Sequence, residues 1–155
     1  MSEPARRPKV LFLCIYNSAR SQMAEGLLRV LFGDRYEACS AGASPAGLNA
    51  WAVKAMAEIG IDISDQYSKS VDVFAGGDFD YVVTVCGADQ KCPAFRGEAK
   101  RLHWDIADPG EKAGVDTMAS FRETRDDLKR RIERAFGAAG IRKLQAEKSK
   151  GKALG

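Results

Sequence analysis

The stretch KVLFLCIYNSARSQM, residues 9–23, decides the fold and contains the first candidate site. Its apolar run at 10–13 predicts a buried strand, and the apolar spacing from Met23 to Leu31 predicts a helix over residues 21–32. The loop between them runs from Cys14 to Arg20 and Ser21. A loop that leaves a buried strand and enters a helix turns its N–H groups inward, at the positive end of the helix dipole. Such a loop can bind a tetrahedral oxyanion.

Cys14 and Arg20 make this loop a candidate active site. The field that attracts an anion also favours the thiolate of Cys14, which is the nucleophilic form. Arg20 carries a planar fork suited to two oxygens of one anion. We expect the rest of the loop to bind the anion as well, namely Ile15, Tyr16, Asn17, Ser18, Ala19 and Ser21. The alternatives are a packed strand-end thiol for Cys14 and a helix N-cap for Ser21, which could also donate its hydroxyl to the sulfur.

Strand and helix patterns alternate along the chain. We predict strands over 9–14, 36–40, 79–86 and 100–104, helices over 21–32, 48–59 and 116–136, and a short helical piece near 71–74. This alternation predicts a single α/β domain over residues 9–137, with a four-stranded parallel sheet and helices on both faces. Ligands bind beyond the carboxyl ends of such strands. The Cys14 loop, the 86–92 loop and the loop that holds Asp108 should therefore meet there.

Cys86 and Cys92 flank the segment GADQK at the end of the third predicted strand. Five intervening residues do not fit the short spacing of zinc-binding cysteine pairs, and the single His103 adds little further ligation. One interpretation is a pair of packed thiols. The other is a redox pair, in which Cys86 attacks an adduct on Cys14 and Cys92 then attacks the resulting disulfide. The second interpretation requires the segment to move, because the Cα atoms of a disulfide lie within about 7 Å.

Three further side chains have open interpretations. Asp108, in the motif ADPG, is either a turn residue before proline or a general acid that protonates a leaving oxygen. Cys39 lies inside a predicted strand and is expected in the core. Glu25 lies one helical turn beyond Ser21 and faces either the loop or solvent.

Composition restricts the class of protein. With 45% hydrophobic and 29% charged residues in 155, we expect one globular domain, and no apolar run approaches the length of a membrane span. The N-terminal MSEPARRPK lacks the apolar region of a signal peptide, so we expect a cytoplasmic protein with reduced thiols. Residues 1–8 are expected to form a flexible arm. Residues 138–155 are expected to form a basic, mobile tail, and without aromatic or motif context its charge does not predict nucleic-acid binding.

From Lys9 to Phe136 the chain resembles the arsenate reductases built on the fold of the low-molecular-weight protein tyrosine phosphatases. The most specific matches are CIYNSARSQMAEG, SAG, VVTVCGADQKCP and HWDIADPG. The first motif is shared with the phosphatases, whereas the two later cysteines distinguish the reductases. The resemblance also implies flavodoxin-like winding of the sheet.

The resemblance implies a relay of three cysteines. Cys14 attacks arsenate held by the loop and Arg20, and Asp108 protonates the departing oxygen. Cys86 then attacks Cys14 and releases arsenite, and Cys92 attacks Cys86 to form a disulfide that thioredoxin reduces. We expect a monomer without cofactor or metal. The spacing of Cys86 and Cys92 is one residue shorter than in the family, so the last disulfide must close over a shorter loop.

Two expectations concern departures within the resemblance. Some family members bind potassium through an Asp, an Asn and a Glu; Asn17 and Glu25 match two of these, whereas Lys69 stands at the Asp position. We predict that the Lys69 ammonium replaces the cation. The alternative function is a low-molecular-weight phosphatase, which hydrolyses a cysteinyl-phosphate on Cys14. Phosphatases usually carry tyrosine after the Asp-Pro pair, and Gly110 at this position argues against that alternative.

Overall fold

The computed structural model describes residues 6–87, 90–111 and 116–137. Four parallel strands form one sheet in the order β2-β1-β3-β4. They are β1 (Lys9–Cys14), β2 (Glu37–Gly42), β3 (Tyr81–Thr84) and β4 (Lys100–His103). Three α-helices accompany them: α1 (Arg20–Phe32), α2 (Ala50–Ala57) and α3 (Thr117–Phe136). The predicted single α/β domain with a four-stranded parallel sheet is confirmed.

Strand β1 lies in the middle of the sheet and is buried on both faces. Alternate side chains of a strand point to opposite faces, and Val10, Phe12 and Cys14 accordingly join one apolar cluster. Leu11 and Leu13 join the other. An apolar run at 10–13 is therefore what a central parallel strand requires.

The three α-helices share the larger cluster on one face of the sheet, where α1 contacts both α2 and α3. The opposite face is covered by residues around the 3₁₀ turn Val71–Phe74 and by Phe79 and Phe95, whose rings meet edge to face. Both faces of the sheet are covered, as predicted. The α-helices lie on one face, whereas the 3₁₀ turn and loop residues cover the other.

Helices α2 and α3 are joined by an ion-pair network at their surface. Glu58, at the end of α2, accepts hydrogen bonds from Arg122 and Arg125 of α3. The hydrogen bond from Arg122 is the main cause that lowers the pKa of the Glu58 carboxyl to about 2. Arg125 also donates to the Ala55 carbonyl oxygen, so the network fixes the end of α2 against α3.

The predicted elements agree with the structure apart from their ends. Strand β1 and the turn at 71–74 have the predicted bounds. The third strand pairs with both β1 and β4 over Tyr81–Thr84, which is four of its eight predicted residues. Helix α2 is shorter than predicted, because the Asn49 side chain accepts hydrogen bonds from the N–H groups of residues 51 and 52 and starts the helix there.

The predicted arm and tail fall largely outside the described residues, which exclude 1–5 and 138–155. Where the arm is described, it contacts the domain. Arg6 lies 3.5 Å from Asp80, and the Pro8 carbonyl oxygen accepts from the Glu37 N–H. Among the helices of the described ranges, none is long and apolar enough to cross a membrane.

Gly42 ends β2 where that strand lies beside the end of β1, in register with Cys14. A Cβ atom at residue 42 would lie 2.7 Å from the Asn17 nitrogen and 2.7 Å from the Ile15 oxygen. Both are backbone atoms of the loop after β1, so neither can move aside alone. Only glycine lets the two chain segments approach this closely.

We predict that Gly42→Ala lowers the free energy of unfolding by about 1–3 kcal/mol, because the added methyl group must displace the backbone of the Cys14 loop. Urea denaturation followed by circular dichroism measures the change. Gly110→Ala is the matched control, since a Cβ there meets the Asp108 Oδ1 at an ordinary 3.5 Å. Equal stabilities of the two variants would contradict the steric argument.

Candidate active site

The loop after β1 turns its carbonyl oxygens outward. The carbonyl of Ile15 accepts from the Ser44 N–H, that of Tyr16 from the Ala46 N–H, and that of Ser18 from the Asn49 N–H. These oxygens are thus bonded to neighbouring segments of the fold. The Asn17 N–H lies 3.2 Å from the Cys14 Sγ. This N–H faces the sulfur, as the strand–loop–helix pattern predicts for the loop.

Asn17 holds this conformation with its side chain. Its φ is +47°, a left-handed conformation that asparagine tolerates better than most residues. Its Nδ2 donates to the hydroxyls of Ser21 and Ser40, at 2.8 and 3.0 Å. Its Oδ1 accepts from the Gln22 amide and from the Lys69 N–H. All four hydrogen-bonding positions of the amide are thus used inside the fold.

Ser21 and Cys14 are hydrogen-bonded to each other. The two side chains meet at 2.8 Å between Oγ and Sγ. Because Asn17 donates to the Ser21 oxygen, the Ser21 hydroxyl proton is free to be donated to the sulfur. The alternative prediction, a helix N-cap, is wrong: Ala19 occupies the N-cap position, and Ser21 lies inside α1.

Arg20 lies at the start of α1 and is only 3% exposed. Its Nη1 donates to the Ile106 carbonyl oxygen at 2.9 Å and to the Gln90 Oε1 at 2.6 Å. Its Nη2 lies 3.8 Å from the Asp108 Oδ2. One guanidinium therefore joins α1, the loop after β3 and the loop after β4, which are the three segments expected to converge.

Asp108 is a turn residue, as one of the two interpretations has it, and it also lies at the candidate site. Its Oδ1 accepts from the Gly110 N–H at 2.9 Å, as a turn residue does, and its Oδ2 faces Arg20. A cavity of about 200 Å³ opens between this carboxylate and the loop. Its lining combines a sulfur, a guanidinium, a carboxylate and polar loop groups, which come from Cys14, Tyr16, Ser18, Ala19, Arg20, Asn49, Asp108 and Gly110. This arrangement suits a small oxyanion attacked by the sulfur and protonated by the carboxyl group.

Cys86 and Cys92 are joined by a disulfide whose Cα atoms lie 5.9 Å apart. The five intervening residues are therefore enough to close the bond, within the usual range of about 4.4–6.8 Å. Cys86 is completely buried and belongs to the same apolar cluster as Cys14, whereas Cys92 is partly exposed. The sequence left two interpretations open, namely two packed thiols or a redox pair. The structure has a disulfide between the two cysteines, which is the oxidised form of a redox pair.

Glu25 and Lys69 lie beneath the loop. The Lys69 Nζ is 3.8 Å from the Glu25 Oε1, donates to the Tyr67 carbonyl oxygen and lies 4.5 Å from the centre of the Tyr67 ring. The Glu25 carboxylate also accepts from Ser40. Glu25 was expected to face either the loop or solvent. Its contact with Ser40, which accepts from Asn17, favours the loop. Within the described part of the chain, no group of three His, Cys, Asp or Glu side chains could hold a metal ion.

Cys39 lies on β2, apart from the three other cysteines. Burial is the main cause that raises the pKa of its thiol to about 11, and the carboxylates of Glu37 and Glu25 add to the effect. The thiol therefore stays protonated near neutral pH and is a poor nucleophile. Cys39 was expected in the core; it is only partly buried and packs against the edge of the smaller apolar cluster.

Sequence reasoning missed four polar side chains that shape the site. Gln22 and Ser40 bond to Asn17, Asn49 lines the cavity, and Gln90 bonds to Arg20. The motif SAG contains Ser40 and was a signal for that residue. Nothing in the pattern distinguishes the other three from solvated polar residues; Gln90, for example, bonds to a residue 70 positions away in the chain.

Comparisons with known proteins identify the family of this chain. Residues 9–150 match the low molecular weight phosphotyrosine protein phosphatase family. An arsenate reductase of Halalkalibacterium halodurans is 46% identical over 127 residues, which are 80% of this chain and 91% of that protein. A solved arsenate reductase in the phosphate binding state is 32% identical with a TM-score of 0.69, covering 81% of this chain and 94% of that one.

A further solved neighbour, the thioredoxin-dependent arsenate reductase of Corynebacterium glutamicum, is 29% identical with a TM-score of 0.60. The match covers 82% of this chain and 61% of that one. The resemblance drawn from the motifs is confirmed by relatives that share most of their length with this chain. The chain belongs to the low molecular weight phosphotyrosine protein phosphatase family, among its arsenate reductases.

Proposed function

We propose that the protein reduces arsenate to arsenite with three cysteines and that thioredoxin restores its thiols. The observation that carries the proposal is the Cys86–Cys92 disulfide, which is closed beside the Cys14 loop. A phosphatase needs the loop but has no use for a second and third sulfur. Named arsenate reductases among the relatives support the same substrate.

The first step forms a bond between sulfur and arsenic. The loop N–H groups and Arg20 bind the oxyanion, and the Cys14 thiolate, stabilised by the Ser21 hydroxyl, attacks the arsenic atom. The Asp108 carboxyl group, on the opposite side of the cavity, protonates the oxygen that leaves as water. Arsenic remains As(V) in this adduct.

The second step transfers two electrons. The Cys86 thiolate attacks the Cys14 sulfur, a sulfur–sulfur bond forms, and the electrons of the sulfur–arsenic bond stay on arsenic, which leaves as As(III) in arsenite. The Cys92 thiolate then attacks Cys86 and releases the Cys14 thiolate. Oxidation of two thiols to one disulfide balances the reduction of arsenic.

Thioredoxin completes the cycle by thiol–disulfide exchange. Cys92 is partly exposed and Cys86 is completely buried, so an external thiolate attacks the Cys92 sulfur and frees Cys86. The thioredoxin-dependent relative from Corynebacterium glutamicum supports this reductant. We place the reaction in the cytoplasm, because the thiols must start each cycle reduced.

The relay predicts which thiols disappear in one turnover. Fully reduced protein given one equivalent of arsenate, without thioredoxin, should lose two thiols and release one equivalent of arsenite. Ellman titration counts the thiols, and peptide mapping should find the 86–92 disulfide. Unchanged thiols with phosphorylation of Cys14 by a phosphate ester would instead support the phosphatase.

The order of the relay is tested by trapping it. Cys92→Ser should complete one reduction and stop with a disulfide between Cys14 and Cys86. Cys39→Ser is the matched control and should cycle with thioredoxin like the parent protein, since its thiol takes no part. Repeated turnover of Cys92→Ser with thioredoxin would contradict the relay.

The proposed acid predicts a loss confined to the first chemical step. Asp108→Asn should slow single-turnover reduction by about 10²–10⁴-fold, because the amide cannot supply the proton. Rapid-quench measurement of arsenite at saturating arsenate reports this step. A rate equal to that of the parent protein would remove Asp108 from the mechanism, and an unchanged unfolding midpoint excludes a folding defect.

The position of Lys69 predicts that potassium has no special effect. The ammonium already supplies a positive charge beside Glu25, so arsenate KM and the melting temperature should be the same in potassium and in sodium chloride. Lys69→Asp removes this charge and should make the melting temperature rise with potassium but not with sodium. If potassium but not sodium activated the unmodified protein, the hypothesis that the Lys69 ammonium takes the place of the cation would be contradicted.

A further inference from the structure

We propose that Gln90 is a positioning residue that orients Arg20 for oxyanion binding and links it to the redox loop, residues 86–92. The inference rests on the proposed function in one respect, namely that Arg20 binds the oxyanion. It adds a role for a residue of the redox loop that is not a cysteine.

The Gln90 amide is fixed by two donors on one oxygen. Its Oε1 accepts from the Arg20 Nη1 at 2.6 Å and from the Gly87 N–H at 2.8 Å. Because both partners are donors, the oxygen and not the nitrogen faces Arg20. The Gln90 N–H donates in turn to the Gly87 carbonyl oxygen, so two hydrogen bonds join these two residues.

The contact occupies the side of the guanidinium that an oxyanion does not need. Nη1 has two N–H bonds, and they are directed at Gln90 and at the Ile106 carbonyl oxygen. The opposite edge, formed by Nε and Nη2, is left for a bidentate contact with two oxygens of one anion. Nη2 lies on the side of Asp108, with which Arg20 lines the cavity.

A neutral acceptor suits this position. A carboxylate at residue 90 would hold Nη1 equally well but would offset the positive charge that attracts the anion. The amide of Gln90 orients the guanidinium and leaves that charge intact. Since Arg20 is almost completely buried, its charge is weakly screened by salt and attracts the anion strongly.

The position of Gln90 in the chain ties Arg20 to the disulfide. Residue 90 lies between Cys86 and Cys92, whose Cα atoms are held 5.9 Å apart by the bond. The conformation that places the Gln90 oxygen on Arg20 is therefore a property of the closed loop. The disulfide form keeps its arginine oriented for an oxyanion.

The test is the affinity of the disulfide form for inorganic phosphate, measured by isothermal titration calorimetry. Gln90→Ala should raise the Kd about tenfold or more, the loss expected for one hydrogen bond to a charged group. Gln90→Glu should also weaken binding, through its added negative charge. Lys91→Ala, an exposed neighbour in the same loop, is the control and should bind like the parent protein. Mass spectrometry confirms the disulfide in each variant.

A second measurement separates orientation of Arg20 from general support of the loop. In the parent protein the Nη1 and Nη2 signals of the Arg20 guanidinium should be resolved by NMR, because rotation is hindered, and in Gln90→Ala they should merge. A phosphate Kd of Gln90→Ala within twofold of the parent protein would overturn the proposal. So would an equal loss in Lys91→Ala, or parental affinity in Arg20→Lys. A parent protein that binds phosphate but fails to reduce arsenate would overturn the proposed function alone.

Discussion

The amide of Asn17 is the contact on which the site depends, because its two ends have opposite hydrogen-bonding character. The nitrogen donates to the hydroxyls of Ser21 and Ser40, and the oxygen accepts from the segments of Gln22 and Lys69. A carboxylate at residue 17 would accept from all of these partners. The Ser21 proton would then turn away from the Cys14 sulfur. The polarity of one buried amide thus leaves the Ser21 proton free for the Cys14 sulfur.

The same amide couples the loop to its surroundings. Ser40, which accepts from Asn17, donates to Glu25, and Glu25 faces the Lys69 ammonium. The loop is therefore supported from below by a chain of polar contacts that ends in a positive charge. Gly42 completes the support, because the absence of a side chain lets β2 reach the loop backbone. The motif SAG contains both the polar and the steric part of this arrangement.

Sequence reasoning succeeded where the signal is local. The apolar run of β1 and the helical spacing of α1 depend on neighbours in the chain, and their bounds were predicted within a residue or two. The convergence of Cys14, Cys86 and Asp108 followed from one topological rule, that the carboxyl ends of parallel strands share an edge. The length of β3 was overestimated, because the apolar pattern continues to Cys86 whereas regular pairing with both neighbours ends at Thr84. The sequence pattern also did not predict that all three α-helices lie on one face of the sheet.

The polar shell around the site could not be predicted for a related reason. Gln22 and Gln90 have partners 5 and 70 residues away in the chain, and a glutamine in a polar segment is more often solvated. Residue type gave a signal only where the chemistry is rare, as with cysteine. Even then, residue type does not show that Cys86 and Cys92 form a disulfide while Cys14 and Cys39 are free.

Cys14 and Cys39 differ in the groups that surround their sulfur atoms. The two residues lie on adjacent strands, where Cys39 pairs with Leu11, three residues before Cys14. Cys39 meets burial and the carboxylates of Glu37 and Glu25, which keep its thiol protonated. Cys14 lies where β1 ends, and there the Asn17 N–H and the Ser21 hydroxyl reach its sulfur. The loop and helix that follow the carboxyl end of β1 supply both of these contacts. Cys14 has them because it is the last residue of its strand, whereas Cys39 lies in the middle of β2.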